Sequence, residues 1–368
     1  MDITQLDTPS LLVDLDIMEA NMRQVDDFAK EQGIAWRPHI KTHKSIEIAK
    51  LQMANGACGI TVAKVSEAEV MVKGGIDNIL IAYPLASRTK LERVAALLPL
   101  ATIILTIDSE EQAAHVQQFF QPIDQEVEVW LKIDSGLKRC GVDPGEPTLR
   151  LAQYVSERCP NLKLKGLYTH AGHSYAATDY EQIERIGRYE GECIVASAQL
   201  CEEHGIPIEV RSVGSTPTFR ISGKVPGITE IRPGNAVFYD AIQVGLGAAT
   251  YSQCALRVMA TVVSHRPGER LVLDTGSKSL ALDQGAHGNA TVKGFGHVVG
   301  HPEIVIQRLS EEHGVASIEG ETSLRLLDRV QIIPNHACAV MNLFDKVHVV
   351  REGQVIDTWK VDARGHVQ

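Results

Sequence analysis

The apolar and polar positions of this chain alternate between short β-branched runs and longer segments with helical spacing. The short runs predict eight strands, at residues 35–40, 59–63, 78–83, 102–107, 127–133, 164–169, 208–213 and 229–232. Helical patterns lie between them, for example at residues 66–73, 89–98, 110–120 and 179–204. Because parallel strands need crossover connections, the alternation predicts an α/β fold, and eight repeats favour a (β/α)8 TIM barrel over an open doubly wound sheet.

The pattern changes after about residue 250. Strand-like segments at 255–263, 270–273 and 346–351 are separated by Gly, Pro and Asp turns, and no helical spacing persists over the length of a helix. This predicts a second, all-β domain at the C-terminal end. We therefore divide the chain into an N-terminal strand at 1–16 that joins the β-domain, a barrel at 17–248 and the β-domain itself at 249–368.

Charge and composition narrow the class of partner. The 368 residues carry 36 Lys and Arg against 46 Asp and Glu, a formal net charge of −10, which argues against nucleic acid or an anionic membrane as the main partner. The amino terminus lacks the basic and apolar regions of a signal peptide, and no apolar run is long enough to span a bilayer. The seven cysteines form no CxxC pair, as is typical of reduced thiols. These features predict a soluble, cytoplasmic protein.

Candidate chemistry lies directly after the predicted strands. The segment Trp36–Lys44 places two lysines, two histidines and an arginine between the first barrel strand and the next helix. In a (β/α)8 barrel these junctions line the C-terminal mouth, where characterised members of the fold keep their active sites. Polar segments also follow four later strands, at residues 134–141, 170–175, 214–218 and 234–235. The alternative for Trp36–Lys44 is a solvated basic turn.

A phosphate site is predicted in the late loops. Gly214–Thr216 supplies backbone N–H groups and two hydroxyls, and Gly234 and Asn235 supply more, where this fold commonly binds phosphate. A phosphate site that faces Lys41 favours pyridoxal 5′-phosphate, whose aldehyde forms a Schiff base with lysine. The alternative is that the Gly-Ser-Thr-Pro segment is only a turn.

Four motifs make the assignment more specific. They are RPHIKTHK at Arg37–Lys44, DSGLKRCGV at Asp134–Val142, THAGH at Thr169–His173 and PNHAC at Pro334–Cys338. In this order they resemble the D-threonine aldolase and D-serine dehydratase family, relatives of alanine racemase with the type III pyridoxal phosphate fold. The resemblance covers nearly the whole chain. It implies an alanine racemase-like fold, pyridoxal 5′-phosphate and a divalent metal.

The resemblance also implies roles for matched residues. Lys41 would be the Schiff-base lysine, and the candidate bases are His170, His173 or a metal-bound hydroxide. The residues implied to contact the cofactor are Arg139 at its phenolic oxygen, Arg232 at its pyridine nitrogen, Ser215, Thr216, Gly234 and Asn235 at its phosphate, and Tyr175.

His336 and Cys338 would be the metal ligands of this family. In an extended segment, residues i and i+2 point to the same side, so an imidazole and a thiolate can meet one cation. Two protein ligands leave positions for water and substrate, as a catalytic site requires. The thiolate suits Zn²⁺, whereas Mn²⁺ and Mg²⁺ prefer oxygen, and the three metals stay open.

The implied reaction is retro-aldol cleavage of a β-hydroxy D-amino acid, such as D-threonine, to glycine and an aldehyde. The alternative is dehydration of D-serine or D-threo-3-hydroxyaspartate to a keto acid and ammonia. Some aldolases of the family carry aspartate at the Cys338 position and the dehydratases carry cysteine, so both reactions stay open. A non-catalytic pyridoxal phosphate carrier is a third alternative, which the β-domain and the His336/Cys338 pair disfavour. The fold family implies a homodimer.

Overall fold

The structure is a computed structural model that describes residues 1–85, 87–285 and 292–368. Its backbone divides into two compact units. The barrel unit comprises Val25–Lys41, Ile48–Gly234 and His366–Gln368, and the β unit comprises Met1–Gln24, Thr42–Glu47 and Asn235–Gly365.

The strands are β1 (Ser10–Asp14), β2 (Ala35–Trp36), β3 (Ile60–Val62), β4 (Asn78–Ile81), β5 (Thr102–Ile107), β6 (Val127–Ile133), β7 (Leu162–Thr169), β8 (Val210–Val213), β9 (Glu230–Ile231), β10 (Leu256–Arg266), β11 (Arg270–Leu273), β12 (His297–Val298), β13 (Ile304–Leu309), β14 (Gly314–Ile318), β15 (Arg329–Ile333), β16 (Lys346–Arg351) and β17 (Gln354–Lys360). The α-helices are α1 (Leu15–Gln32), α2 (Ile46–Ala54), α3 (Val65–Lys73), α4 (Arg88–Leu97), α5 (Glu110–Phe120), α6 (Glu146–Arg158), α7 (Tyr180–Glu203), α8 (Phe219–Ser222), α9 (Ala241–Gly245), α10 (Ser277–Leu280) and α11 (Ala337–Met341). Single 3₁₀ turns include Ile40–Thr42, Gly172–Ala176 and Asn235–Val237.

The barrel unit is built on parallel strands in the order β2–β9–β8–β7–β6–β5–β4–β3. A parallel bridge between His39 and Thr61 joins the two ends of this sheet, and the Thr61 N–H donates to the Pro38 carbonyl at 2.8 Å. The predicted (β/α)8 fold is confirmed. The first strand is shorter than predicted, because Pro38 has no N–H for the sheet and β2 ends at Trp36.

The elements of the barrel unit follow from local sequence. β5 and β6 are nearly continuous apolar runs and are buried along almost their whole length, as parallel strands covered on both faces are. The Ser109 hydroxyl accepts from the Gln112 N–H at 3.2 Å and begins α5, and the Asp179 carboxylate accepts from the Gln182 N–H at 2.7 Å and begins α7. These two crossover helices therefore start at side-chain caps.

The β unit contains a sheet in the order β13–β14–β11–β10–β1–β16–β17, with β15 paired to both β10 and β12. β1 runs antiparallel to β10, with Leu11 opposite Val258, and parallel to β16, with Val13 opposite Val349. Two short helices, α10 and α11, interrupt a region in which the sequence showed only strand-like spacing. Across the described residues, every helix is too short or too polar to cross a bilayer.

Candidate active site

Lys41 lies in the 3₁₀ turn that follows β2, and its charge acts on two imidazoles. Burial and then the charge of Lys41 hold the pKa of His39 well below its usual 6.5. The same two causes, in the same order, hold the pKa of His170 well below 6.5. Because protonation of either ring is disfavoured beside these cations, both histidines are neutral near neutral pH.

Two further cations of the barrel unit contribute to this environment. The side chains of Lys132 and Arg232 are buried, and burial lowers the pKa of each. The Arg232 guanidinium donates to the Ser212 hydroxyl at 3.2 Å and lies 4.8 Å from the centroid of the Tyr168 ring. These contacts hold Arg232 against the barrel wall, and its role at the pyridine nitrogen stays a prediction.

The loop after β6 is folded by Asp134. Its Oδ1 accepts from the N–H groups of Gly136 at 2.9 Å and Lys138 at 3.1 Å, which leaves Arg139 exposed at the tip. Gly136 has a φ of +120°, and a Cβ there would lie 3.3 Å from Nε2 of His173. Close packing of this loop therefore positions His173, which belongs to the same 3₁₀ turn as Tyr175.

The loop after β8, which the sequence predicts to bind phosphate, is held in place by Glu190. Gly214 has a φ of +108°, which a side chain rarely adopts, and its N–H donates to Oε1 of Glu190 at 3.0 Å. Ser215 and Thr216 are buried, and Oγ of Ser215 lies 3.1 Å from Oγ of Ser174. Gly234 ends the barrel unit after β9, and Asn235 begins a segment of the β unit.

The β unit brings together the two predicted metal ligands. His336 has an extended backbone, but α11 begins at Ala337, so the expectation of an extended segment through Cys338 is wrong. The ring of His336 nevertheless forms a hydrogen bond with Cys338, because the first turn of α11 returns the thiol towards it. Oδ1 of Asp283 lies 3.0 Å from Nδ1 of His336, and Sγ of Cys338 lies 3.2 Å from Oγ1 of Thr42.

Charge around His336 favours a cation. Desolvation lowers the pKa of this imidazole, but Cys338, Asp283 and Asp240 outweigh it and raise the pKa to about 11. An environment that holds a proton this firmly also suits a divalent metal. Within residues 1–85, 87–285 and 292–368, no group of three or more His, Cys, Asp or Glu side chains is arranged to hold a metal. Among the described residues, the predicted donor set stays one imidazole and one sulfur.

Asp240 fixes the turn that carries these ligands. The carboxylate is fully buried, and its Oδ2 accepts from Nδ2 of Asn235 at 2.5 Å and from the Ala337 N–H at 2.9 Å. Oδ1 accepts from the Gln243 N–H at 3.0 Å and begins α9. One side chain thus holds a predicted phosphate ligand and the residue between His336 and Cys338.

Three acidic residues that the sequence analysis missed organise these sites: Glu190, Asp240 and Asp283. Glu190 carried a signal, since it occupies a buried phase of the long α7 pattern, in register with Ile183 and Ile194. Asp240 precedes a helix of five residues, too short to have a periodic pattern. Asp283 is remote in sequence from His336, and their pairing is decided by the fold.

A (β/α)8 barrel with a lysine after its first strand, accompanied by a mainly antiparallel β unit with an imidazole–thiol pair, defines the class of alanine racemase-like enzymes. The chain matches the family described as alanine racemase, N-terminal domain, over residues 13–241, and the putative serine dehydratase domain over residues 255–350. The chain belongs to the D-threonine aldolase and D-serine dehydratase family, as its motifs predicted.

Known members span two reactions. D-threo-3-hydroxyaspartate dehydratase of Delftia sp. strain HT23 is 31% identical over 96% of this chain and 97% of the relative. D-threonine aldolase of Arthrobacter sp. is 31% identical over 99% of this chain and 94% of the relative. The crystal structure of D-threonine aldolase from Filomicrobium marinum superposes with a TM-score of 0.92 at 31% identity, covering 100% of this chain and 98% of that one. The family is one of lyases, and both predicted reactions occur in it.

Proposed function

We propose that the protein is a pyridoxal phosphate- and divalent-metal-dependent lyase that cleaves a β-hydroxy D-amino acid such as D-threonine to glycine and an aldehyde. The observation that carries the proposal is the contact between Sγ of Cys338 and Oγ1 of Thr42 at 3.2 Å, because Thr42 directly follows Lys41. One peptide bond separates the residue proposed to hold the cofactor from a residue that touches a proposed metal ligand. The names of the relatives support the substrate class.

The residues of the barrel unit fit pyridoxal phosphate. Lys41 would hold the aldehyde carbon, Arg139 the phenolic oxygen, and the Ser215 and Thr216 segment the phosphate. Gly234 and Asn235 are proposed as further phosphate ligands, and Tyr175 and Arg232 as further contacts. When bound, the cofactor supplies a sink for the electron pair left at Cα.

The residues of the β unit fit a metal ion. A thiolate and an imidazole are ligands that Zn²⁺ accepts, and two protein ligands leave positions for water and the substrate hydroxyl. A bound metal lowers the pKa of a hydroxyl that coordinates it. A mutant of a D-threo-3-hydroxyaspartate dehydratase has a solved structure described as being in the metal-free form.

Proton transfer falls to the histidines of the barrel unit. His170 and His39 are neutral, and a neutral imidazole can accept the proton of the β-hydroxyl as the Cα–Cβ bond breaks. We propose His170 as this base, because it lies in the loop that also carries the second candidate, His173. Because His170 is already neutral, it needs no deprotonation before it accepts this proton.

Dehydration is the second candidate function, favoured by the sulfur ligand at Cys338. In this reaction Lys41 removes the α-proton and the β-hydroxyl leaves as water, which yields a keto acid and ammonia after hydrolysis. The same groups therefore serve either reaction.

We also propose that the protein is a homodimer, which sedimentation or light scattering of the pure protein tests.

Product analysis separates the two functions. Protein loaded with pyridoxal phosphate and either Zn²⁺ or Mn²⁺ is offered D-threonine, D-serine and D-threo-3-hydroxyaspartate separately. Glycine and aldehyde support the aldolase, and keto acid with ammonia and no glycine supports the dehydratase. Lys41→Ala should abolish turnover, and Lys50→Ala, an exposed lysine of α2, is the matched control. Full D-threonine cleavage after chelator treatment refutes the metal role.

A further inference from the structure

Glu190 is a buried acid in the middle of α7, where a crossover helix ordinarily presents apolar side chains to the barrel. It has no exposed surface. Gly187 and Gly191 flank it, and a Cβ would lie 2.9 Å from Cβ of Ile221 at the first and 2.5 Å from Cγ2 of Val225 at the second. The two glycines therefore let the segment after β8 approach α7 closely, which brings that segment within reach of Glu190.

The two carboxyl oxygens of Glu190 have different partners. Oε1 accepts from the backbone N–H groups of Ala171 and Gly214, each at 3.0 Å. Oε2 accepts from the Thr218 hydroxyl at 2.7 Å, its one hydrogen-bond partner among the described residues. One oxygen therefore meets donors alone, whereas the other meets a group that can donate or accept.

A chain of hydroxyls leads from Oε2 to the proposed phosphate loop. Oγ1 of Thr218 lies 3.0 Å from Oγ of Ser215 and accepts from the Ser215 N–H at 3.2 Å. Oγ of Ser215 lies 3.1 Å from Oγ of Ser174. Each of these hydroxyls has one proton to donate. Because each is buried, the proton must be directed to a neighbouring group or a ligand rather than to bulk water.

The protonation state of Glu190 sets the direction in which the hydrogen bonds between Glu190, Thr218 and Ser215 are donated. If Glu190 is ionised, Thr218 donates to Oε2, Ser215 donates to Thr218, and Ser215 presents lone pairs to a ligand. If Glu190 is protonated, Oε2–H donates to Thr218, Thr218 donates to Ser215, and the Ser215 proton is available to a phosphate oxygen. In the second arrangement the Glu190 carboxyl and the hydroxyls of Thr218 and Ser215 all keep a hydrogen-bond partner. The two backbone N–H groups at Oε1 keep theirs as well.

We propose that Glu190 is the positioning residue of the cofactor phosphate, and that it takes up a proton when the phosphate binds. The inference rests on the proposed function, since it takes pyridoxal phosphate as the ligand of the Ser215 loop. A phosphate dianion at the end of the chain disfavours a second negative charge and favours the donating arrangement.

The surroundings of Glu190 make its protonation on phosphate binding easier than that of an exposed carboxylate. Burial raises its pKa, against the opposing effect of hydrogen bonds from Thr218, Gly214 and Ala171. The charged and titratable groups that face it are Arg232, which lowers the pKa weakly from the barrel wall, and Cys193, whose thiol donates to the Glu190 carbonyl at 3.3 Å. No ion pair compensates the carboxylate within the described residues.

Calorimetry of the full-length apoprotein with pyridoxine 5′-phosphate tests this proposal, because that probe carries the phosphate but no aldehyde. Titration in two buffers with different ionisation enthalpies counts the protons taken up on binding. Glu190→Gln is the informative variant, since its amide keeps an acceptor for the two N–H groups and a donor for Thr218 and cannot ionise. Glu192→Gln, exposed on the same helix, is the control.

We expect wild type and Glu192→Gln to take up a proton above pH 7.5, where the probe itself is a dianion. Their affinity falls by up to about tenfold per pH unit relative to Glu190→Gln, which stays flat and binds at least as tightly at pH 8. Equal proton uptake in wild type and Glu190→Gln overturns the inference and leaves the proposed function standing. An apoprotein that binds neither pyridoxine 5′-phosphate nor pyridoxal 5′-phosphate overturns both.

A second pair of variants distinguishes a hydrogen-bonding role of the Thr218 hydroxyl from a purely structural role of this side chain. Thr218→Val keeps the shape of the side chain but removes the hydroxyl, so it should weaken binding of pyridoxine 5′-phosphate at least tenfold and leave binding of pyridoxine unchanged. Thr218→Ser keeps the hydroxyl and should bind as wild type does. If Thr218→Val weakens the binding of pyridoxine 5′-phosphate and of pyridoxine equally, Thr218 has a structural role only. That result would contradict the proposed chain of hydroxyls between Glu190 and the phosphate.

Discussion

Oδ1 of Asp283 lies 3.0 Å from Nδ1 of His336, so a carboxylate sets the orientation of the imidazole proposed as a metal ligand. A carboxylate on one ring nitrogen directs the other towards a metal and raises its basicity. Both residues belong to the β unit and are half-buried. The pair therefore identifies Asp283 as the residue that orients this proposed ligand.

Asp283→Asn should weaken metal affinity about 10- to 100-fold, because the neutral amide no longer holds the imidazole in a single orientation. Competition with a chromophoric chelator measures the change. Asp345→Asn, a strongly exposed acid of the same unit, should leave affinity unchanged. Equal affinities of wild type and Asp283→Asn would show that His336 needs no support.

Substitution of Cys338 should change the choice of metal. Cys338→Ala removes a ligand and should reduce metal content after dialysis to a small fraction of the wild-type value. Cys338→Asp supplies a hard oxygen and should shift retention from Zn²⁺ towards Mn²⁺ in a mixture of the two. Metal analysis of both variants is compared with Cys58→Ser. Unchanged Zn²⁺ retention in Cys338→Ala would contradict its assignment as a ligand.

Stability should fall as the pH drops below about 6.5. His39 and His170 have folded-state pKa values well below 6.5, so the unfolded chain takes up protons that the folded chain does not. Each histidine then costs up to about 1.4 kcal/mol of unfolding free energy per pH unit, until the folded ring is itself protonated. Urea unfolding between pH 5 and 7 measures the slope. A His39→Gln/His170→Gln variant with an unchanged slope would contradict this origin.

The ion pair between Arg37 and Glu230 should contribute strongly to the stability of the barrel unit. Nε of Arg37 lies 2.9 Å from Oε2 of Glu230, and the side chains are only 6% and 4% exposed. Arg37→Met removes the cation that is paired with the buried Glu230 carboxylate, which should cost about 3–5 kcal/mol of unfolding free energy. Urea denaturation measures it.

The matched control is Arg88→Met, whose pair with Glu92 is 3.1 Å long but 77% and 54% exposed. Its loss should cost less than about 1 kcal/mol, because solvent screens an exposed pair. Similar costs for Arg37→Met and Arg88→Met would mean that Glu230 becomes neutral or hydrated in the variant.

Much of the barrel was predictable because its signals are local. The alternation of apolar runs with helical spacing identified eight strands, and β5 and β6 have the predicted bounds. β2 ends earlier than predicted, since a proline interrupts the sheet. The motifs identified the family because they preserve side chains in order along the chain.

The site was predictable only where a motif carried it. Lys41, His336 and Cys338 lie within such motifs, and their roles stay predictions. The extended conformation expected through Cys338 was wrong, because a helix of five residues has no periodic pattern to detect. Glu190 showed a polar residue in an apolar phase, but spacing alone did not indicate what it binds.

The sequence by itself determined the fold class, the family and the segments that hold reactive side chains, because each depends on residues close together in the chain. Tertiary structure alone decided which acids support them. Asp283 and His336 are 53 positions apart, and Glu190 reaches backbone groups 19 and 24 positions away. Such contacts depend on how the helices, strands and loops pack in three dimensions. The sequence around a carboxylate that forms a buried hydrogen bond does not differ from that around a carboxylate solvated by water.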